Sequence, residues 1–260
     1  MNAWTATALA ELTAAERQVA DLLPIEADPA STRAVLDEVP FWFHTFALNR
    51  AEGIYAPGYA RDHRYRVPAI PESFDGLSVL DIGTFDGFYA FLAEARGAGR
   101  VVAVDNEQYI DWVRDRWDVH LEGGEGFRAI HRLLDSSVEY RKLDALELDV
   151  LGESFDFIFC CGILHRVEAP GRLLEVLSRR LSEGGRVLIE THGVFADPDD
   201  GAPVHRYRPG EVYPDDDYVY WGFTTAGIED LARRSGFTRF ECIDAPVIDG
   251  HPRIIGWLRS

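Results

Sequence analysis

From Leu77 onward, short apolar runs alternate with stretches of helical spacing. Leu77-Ser78-Val79-Leu80-Asp81-Ile82 is an apolar run that ends in a glycine turn, and residues 88–96 follow with helical periodicity. Residues 100–105 form a second run, 138–142 a weaker third and 155–160 a fourth. A helix over 171–181 then passes through Glu183-Gly184-Gly185 into the run at 186–190. Residues 224–235 are again helical, and 238–243 and 253–258 close the chain as strands. Apolar strands separated by helices predict an α/β fold, a doubly wound and mostly parallel sheet covered on both faces. The two closely spaced final strands predict an antiparallel pair at one edge, so that the last strand is reversed.

The first 75 residues read differently. They contain helical stretches, including 1–20, then the aromatic run Phe41-Trp42-Phe43-His44-Thr45-Phe46, and finally Pro68, Pro71 and Gly76. Aromatic rings in such density need a surface to bury against. The expected division is an N-terminal helical and aromatic cap over 1–75 and a ligand-binding catalytic domain over 76–260.

Composition narrows the class. The chain has 260 residues, 47% hydrophobic and 27% charged, which suits a compact fold and excludes wholesale disorder. No apolar run is long enough to cross a bilayer, and the N-terminal stretch lacks the charge pattern of a signal peptide, so a cytoplasmic location is expected. Cys160, Cys161 and Cys242 offer neither a disulfide framework nor zinc-site spacing, and no metal is expected. Lys and Arg total 26 against 44 Asp and Glu, a formal net charge of −18, with Lys142 the only lysine. A surface this acidic repels phosphates unless basic residues gather on one face, which disfavours nucleic acid as a partner. Near-absence of lysine beside abundant arginine fits a bacterial source.

In such a sheet, ligands sit beyond the carboxyl ends of the strands, beside the first one. The turn Asp81-Ile82-Gly83-Thr84-Phe85-Asp86-Gly87 occupies that place. Its glycines let the backbone approach a ligand closely. A nucleotide pyrophosphate is the obvious competitor, because it seeks the positive end of a helix. Here Asp81 precedes the first glycine, Asp86 stands at the helix start, and Phe85 replaces the middle glycine of the dinucleotide fingerprint. Two carboxylates oppose an anion and favour a cation. S-adenosylmethionine carries an ammonium and a sulfonium and no phosphate. Asp105 follows Asp81 by 24 residues and is placed to accept the ribose hydroxyls, while Asp144 after the third strand is placed for the adenine amino group.

Together these residues resemble a class I, Rossmann-like methyltransferase. More narrowly, Val79-Leu80-Asp81-Ile82-Gly83-Thr84-Phe85-Asp86-Gly87-Phe88-Tyr89 resembles the family of tRNA wobble-uridine 5-oxyacetate and 5-methoxyuridine transferases. Cys161-Gly162-Ile163-Leu164-His165-Arg166-Val167-Glu168-Ala169-Pro170 and Val187-Leu188-Ile189-Glu190-Thr191 carry the same resemblance, which covers roughly residue 40 to the C-terminus. It implies a seven-stranded sheet with the sixth and seventh strands reversed in order. It also implies that S-adenosylmethionine is the cofactor, with S-adenosylhomocysteine as product, and that Gly83, Asp105, Asn106, Glu107, Asp144, Ala145 and Cys161 face it. Tyr59 and Arg64 match an aromatic and a basic residue five positions apart that the family uses. Arg253 matches an arginine that begins the last strand. The carboxymethyl-transferring members place a lysine in the N-terminal aromatic segment to pair with an extra carboxylate. Phe43-His44-Thr45 has none, and His165-Arg166 replaces their tyrosine-histidine pair. Ordinary methyl transfer is therefore expected.

The chemistry asks for alignment first and, for a hydroxyl or ammonium acceptor, a base. His165, just past the fourth strand, and His192, past the fifth, are the candidates. His44, Tyr220, Trp221 and Arg253 are the expected substrate contacts, with Arg64 and Arg253 able to grip an anionic group. The long segment 191–221 carries Asp197, Asp199, Asp200, Asp215, Asp216 and Asp217 among aromatics, a lid or acceptor site or a solvated face. The leading reading is a biosynthetic methyltransferase acting on a small molecule, with a homodimer as the default assembly. A tRNA-modifying transferase and a non-catalytic module that binds the cofactor or its product are the alternatives.

Overall fold

The structure, a computed structural model, describes residues 11–194, 205–207, 218–248 and 250–260. Ahead of the main sheet stand α1 (Ala14–Ala20), α2 (Pro29–Glu38), β1 (Ala47–Asn49), β2 (Ile54–Tyr55) and a 3-10 turn, Arg64–Ala69. Thr13 and Glu16 cap the start of α1 reciprocally, and Asp28 caps α2 with Pro29 at its first position. The chain continues through β3 (Ser78–Ile82), α3 (Phe88–Ala95), β4 (Arg100–Asp105), α4 (Tyr109–Trp117), α5 (Glu125–Leu134), β5 (Glu139–Lys142) and β6 (Phe155–Cys161). It closes with α6 (Pro170–Arg180), β7 (Leu181–His192), β8 (His205–Tyr207), β9 (Trp221–Phe223), α7 (Thr225–Arg234), β10 (Arg239–Asp244), β11 (Val247–Ile248) and β12 (His251–Arg259).

The main sheet runs β10-β12-β7-β6-β3-β4-β5, with β11 hairpinned onto β12. The strand pairs β3–β4, β3–β6, β4–β5 and β6–β7 are parallel, whereas β12 runs antiparallel to both β7 and β10. The last strand is thus reversed and slotted inside the one before it. This is the doubly wound, Rossmann-like arrangement that the apolar rhythm predicted.

Strand alternation explains why both faces are apolar. Val79, Val101, Ala103, Phe157 and Phe159 face one side, where α3, α5 and the N-terminal Trp42, Phe46 and Phe74 cover them. Leu80, Ile82, Val102, Val104, Ile158 and Cys160 face the other, beneath Leu173, Leu174 and Leu177 of α6 and Ile228 of α7. Residues from Val19 to Phe74 therefore share one core with half of the sheet.

The pattern did not announce α4 and α5. Only Val113 and Trp117 of α4 are buried, at i and i+4 among charged neighbours, so its apolar stripe is one residue wide. α5 is amphipathic and presents Phe127 and Ile130 to α3. Among the described residues no helix is long and apolar enough to cross a membrane. The acidic positions that read as a lid, an acceptor site or a solvated face, Asp197, Asp199, Asp200 and Asp215 to Asp217, lie outside the described residues.

Candidate functional site

A cavity of about 320 Å³ opens over the carboxyl ends of β3, β4, β5 and β6, roofed by the N-terminal segment and by α4. Its position is where an open parallel sheet binds ligands, and its size suits a small molecule. One end is lined by Asp105, Asn106, Leu143, Asp144 and Ala145, the middle by Asp81, Gly83, Cys161, Gly162 and Ile163. The other end is lined by His44, Tyr65, Arg66, His165, Arg166, Tyr218 and Arg253.

The turn after β3 is built for close approach. Gly83 has φ +67°, in the left-handed region, and a Cβ there would lie 2.1 Å from Ile163 Cδ1. Phe85, also left-handed at φ +53°, turns its ring against Tyr109 and Phe43, at centroid distances of 3.8 and 4.7 Å. The backbone N–H of Phe85 donates to Asp105 Oδ2 at 2.9 Å, and that of Glu107 to Asp105 Oδ1 at 2.6 Å, so Asp105 is fixed between two loops. Burial still pushes its carboxyl up to about 6, against the pull of those two bonds. Asn106 donates to Asp144 at 2.9 Å, joining the two acidic positions at this end.

Asp81 is 3% exposed, and the Thr84 hydroxyl donates to its Oδ2 at 2.6 Å. Burial raises its carboxyl to about 7, the Thr84 bond offsetting only part of that. Thr84 therefore acts on the site through Asp81 and does not itself line the cavity. Gly87 likewise lies behind it, giving α3 a left-handed start tight against Phe91 and Phe127.

Asp86 corrects the sequence reading. Its carboxylate does not line the cavity and meets the N-terminal segment instead. Oδ2 accepts from the backbone N–H of Phe43 and of His44, at 2.8 and 2.7 Å, and Oδ1 meets His44 Nδ1 at 2.5 Å. One carboxylate of the expected pair addresses the cavity; the other ties the aromatic segment to the turn. Gly58 supports the same joint, since a Cβ there would lie 2.2 Å from the His44 carbonyl carbon.

Arg64 is a second correction. It is exposed and forms a fork with Asp62, at 2.9 and 2.8 Å, outside the cavity. Arg66 takes the inward place. Its Nη1 donates to the Tyr89 hydroxyl at 3.1 Å and its Nη2 to Glu190 Oε2 at 2.6 Å, while Arg253 Nη1 donates to Glu190 Oε1 at 3.1 Å. Tyr89 meets His63 Nδ1 at 2.7 Å. Burial opposes the charge on Arg66, yet Glu190 with Tyr65 and Tyr89 holds its pKa well above the ordinary arginine value. Glu190, fully buried, is thus clamped by two arginines from opposite sides.

His165 lines the cavity, but only 1% of it is exposed and its Nδ1 pairs with the Thr191 hydroxyl at 3.1 Å. Burial first, then His192, Arg166 and Arg253, drive its pKa well below the usual value. His192 sits behind it, with ring centroids 4.3 Å apart, and burial and Arg253 lower it to about 2. Tyr220 and Trp221 also stand back: the Tyr220 backbone N–H donates to the His165 carbonyl, and Trp221 Nε1 to the Glu168 carbonyl. Tyr218 takes the lining position instead. Sequence reasoning missed Arg66, Tyr89, Tyr109, Trp112 and Arg116.

Comparison with known proteins follows this geometry. A family described as a methyltransferase domain matches residues 80–189. A tRNA U34 carboxymethyltransferase of Campylobacter hominis is 30% identical over 174 residues, 67% of this chain and 55% of its own length. That of Wolinella succinogenes is 24% identical over 207 residues, 79% of this chain and 65% of its own. The chain thus spans little more than half the length of the first of these relatives. Among solved structures, the N-terminal domain of EvdMO1, crystallised in the presence of S-adenosylhomocysteine and D-fucose, superposes with TM-score 0.59 at 21% identity, covering 88% of this chain and 95% of that one. An S-adenosylmethionine-dependent methyltransferase from Mesorhizobium loti superposes with TM-score 0.55 at 19% identity, over 76% of this chain and 96% of that one. Residues 80–189 are thus a methyltransferase domain on a Rossmann-like sheet, in a chain similar over two thirds of its length to tRNA U34 carboxymethyltransferases.

Proposed function

We propose that the cavity binds S-adenosylmethionine along its length and passes the methyl group to a compact acceptor at the Arg66–Arg253 end. The reading is carried by the order of side chains in one continuous space. Asp105 and Asp144 stand at the adenosine end. A buried Asp81 and the side-chain-free Gly83 stand in the middle, and polar groups convergent on Glu190 at the far end. When bound, the cofactor supplies a sulfonium that makes its methyl group electrophilic. The protein's share is to hold both reactants in line, which is worth roughly 7–11 kcal/mol of the barrier. The stacked rings of Phe43, Phe85 and Tyr109 give the cavity an aromatic wall beside the turn. His165 and His192 are buried and held neutral, and their depressed pKa values make them weak proton acceptors. They shape the acceptor end; alignment carries the reaction.

The curated relatives support a second reading, in which the acceptor is a wobble uridine of tRNA and the transferred group carries a carboxylate. The net charge of −18 and the aromatic segment without lysine favour methyl transfer to a small acceptor. Native mass spectrometry of the purified protein distinguishes the cofactors directly. S-adenosylmethionine or its homocysteine product is expected to copurify; a carboxylated form overturns methyl transfer. Incubation with methyl-labelled cofactor and a tRNA carrying 5-hydroxyuridine tests the acceptor, and label in that tRNA overturns the small-molecule assignment.

A further inference from the structure

We infer that the acceptor is methylated on an oxygen that enters as an anion, held by the Tyr65 hydroxyl and by Nε2–H of His165. The inference deepens the reading of the cavity as a methyl-transfer site and rests on it.

Tyr65 stands in the 3-10 turn ahead of the sheet and lines the cavity, half-buried, with the Arg66 guanidinium 5.5 Å from its ring centroid. Its hydroxyl makes no hydrogen bond to the described residues and is not enclosed, so it opens on the cavity. The charges it feels come from Arg66, Glu190 and Arg253, which places it at the acceptor end. Burial raises its pKa, so the hydroxyl keeps its proton and can donate it.

His165 is a donor for a different reason. Its Nδ1 accepts from the His192 backbone N–H at 3.3 Å, and the Thr191 hydroxyl lies 3.1 Å from the same atom. A backbone N–H can only donate, so Nδ1 holds the lone pair of the neutral ring and Nε2 holds the proton. The ring is neutral because burial first, then His192 and Arg166, oppose a second proton. Nε2 is not enclosed either and meets the cavity that His165 lines. With its lone pair taken, the ring has nothing with which to act as a base.

The neighbouring groups supply none. Arg66 and Arg253 can only donate, and Glu190 between them is fully buried and accepts from both. Burial pushes the Tyr89 hydroxyl and the Cys161 thiol up and leaves both protonated. The described carboxylates that line the cavity, Asp81, Asp105 and Asp144, lie in its middle and at the opposite end. A neutral alcohol or an ammonium would have to lose a proton with nothing placed to take it. An oxyanion needs no base: its lone pair attacks the methyl carbon, the carbon–sulfur bond breaks and that electron pair returns to sulfur. The charges of oxyanion and sulfonium vanish together, and no proton moves. Hydrogen bonds to an ionised oxygen are the strong ones, so two donors select carboxylates and readily ionised phenols or enols over alcohols and amines.

Absorbance titration of the whole protein, saturated with S-adenosylhomocysteine, tests this with two probes. The anion of p-nitrophenol is coloured and its neutral form is not; p-nitroaniline has the same shape but presents N–H donors in place of the oxygen. The phenol is expected to bind as its coloured anion at a pH where most of it is neutral in free solution. It should bind at least about tenfold more tightly than the aniline. Tyr65→Phe should weaken the anion about tenfold and move its ionisation on the protein to higher pH, while changing S-adenosylhomocysteine affinity by less than about twofold. His165→Phe should do the same. Should that variant fail to fold, Tyr65→Phe, which removes one oxygen from a half-buried ring, and the wild-type comparison of probes carry the test. Binding of the phenol in its neutral form, equal affinity for the aniline, no binding of either, or a Tyr65→Phe protein indistinguishable from wild type overturns the oxyanion site while the cofactor assignment stands. A protein that takes up no S-adenosylhomocysteine overturns that assignment itself.

Discussion

Asp81 and Asp105 hold the cavity's electrostatics at the scale of single residues. Both carboxyls lie above their ordinary value of 3.8, at about 7 and about 6, chiefly because burial penalises the charged form. A ligand with a sulfonium and an ammonium stabilises the ionised form, so binding releases protons wherever the free protein still holds them. Affinity for S-adenosylmethionine should therefore fall as pH drops through 7, and more steeply below 6, approaching tenfold per unit for each group. Titrations between pH 5 and 8 check this; an affinity flat across that range contradicts it. The sign for the free protein is opposite. Its raised carboxyls contribute stability that is complete below about pH 4 and lost as pH rises through 6 and 7. The melting temperature of the ligand-free form should accordingly decline over that window, and Asp81→Asn should flatten the decline. Gly83→Ala, at a left-handed φ and against Ile163, should cost about 1–2 kcal/mol in chemical denaturation.

Elements are where the sequence was easiest and hardest to read. Strands β3, β4, β6 and β7 were legible because burial on both faces leaves near-continuous apolar runs. Helix α4 was not, its stripe reduced to Val113 and Trp117. Asp81, Asp105 and Asp144 could be placed because each lies at or just past the carboxyl end of a strand whose position the topology dictates. Asp86 and Arg66 could not, since their partners lie 42 and 124 residues away. No local spacing reveals a contact between β7 and a 3-10 turn. Glu190 is the node of that contact, holding the turn at Arg66 and the strand at Arg253 onto β7. Glu190→Gln leaves two largely buried guanidiniums without their counter-charge. It should destabilise the fold by about 3–5 kcal/mol, read as a lower urea midpoint. A loss under 1 kcal/mol would mean that the arginines are held by other groups.

The choice between acceptors belongs to the whole molecule. An RNA substrate presents many phosphates at once, and a protein that holds it neutralises several of them with Lys and Arg, releasing counterions. This chain carries 26 basic against 44 acidic side chains, and several of the arginines are already matched: Arg100 with Glu139 and Glu153, Arg179 with Asp149, Arg233 and Arg234 with Asp230. The long-range field is therefore repulsive to a polyanion, whatever the cavity contains. A compact acceptor feels little of that field once inside a cavity whose own charges are short-range pairs. With a small acceptor, kcat/KM should change less than about twofold between 50 and 200 mM salt, because no counterions are displaced on binding. With tRNA as acceptor the same interval would cost orders of magnitude, roughly 10³–10⁵ for six to ten phosphate contacts. The slope of log rate against log salt thus reads the acceptor class from the protein's charge alone, and a steep negative slope would return the assignment to RNA.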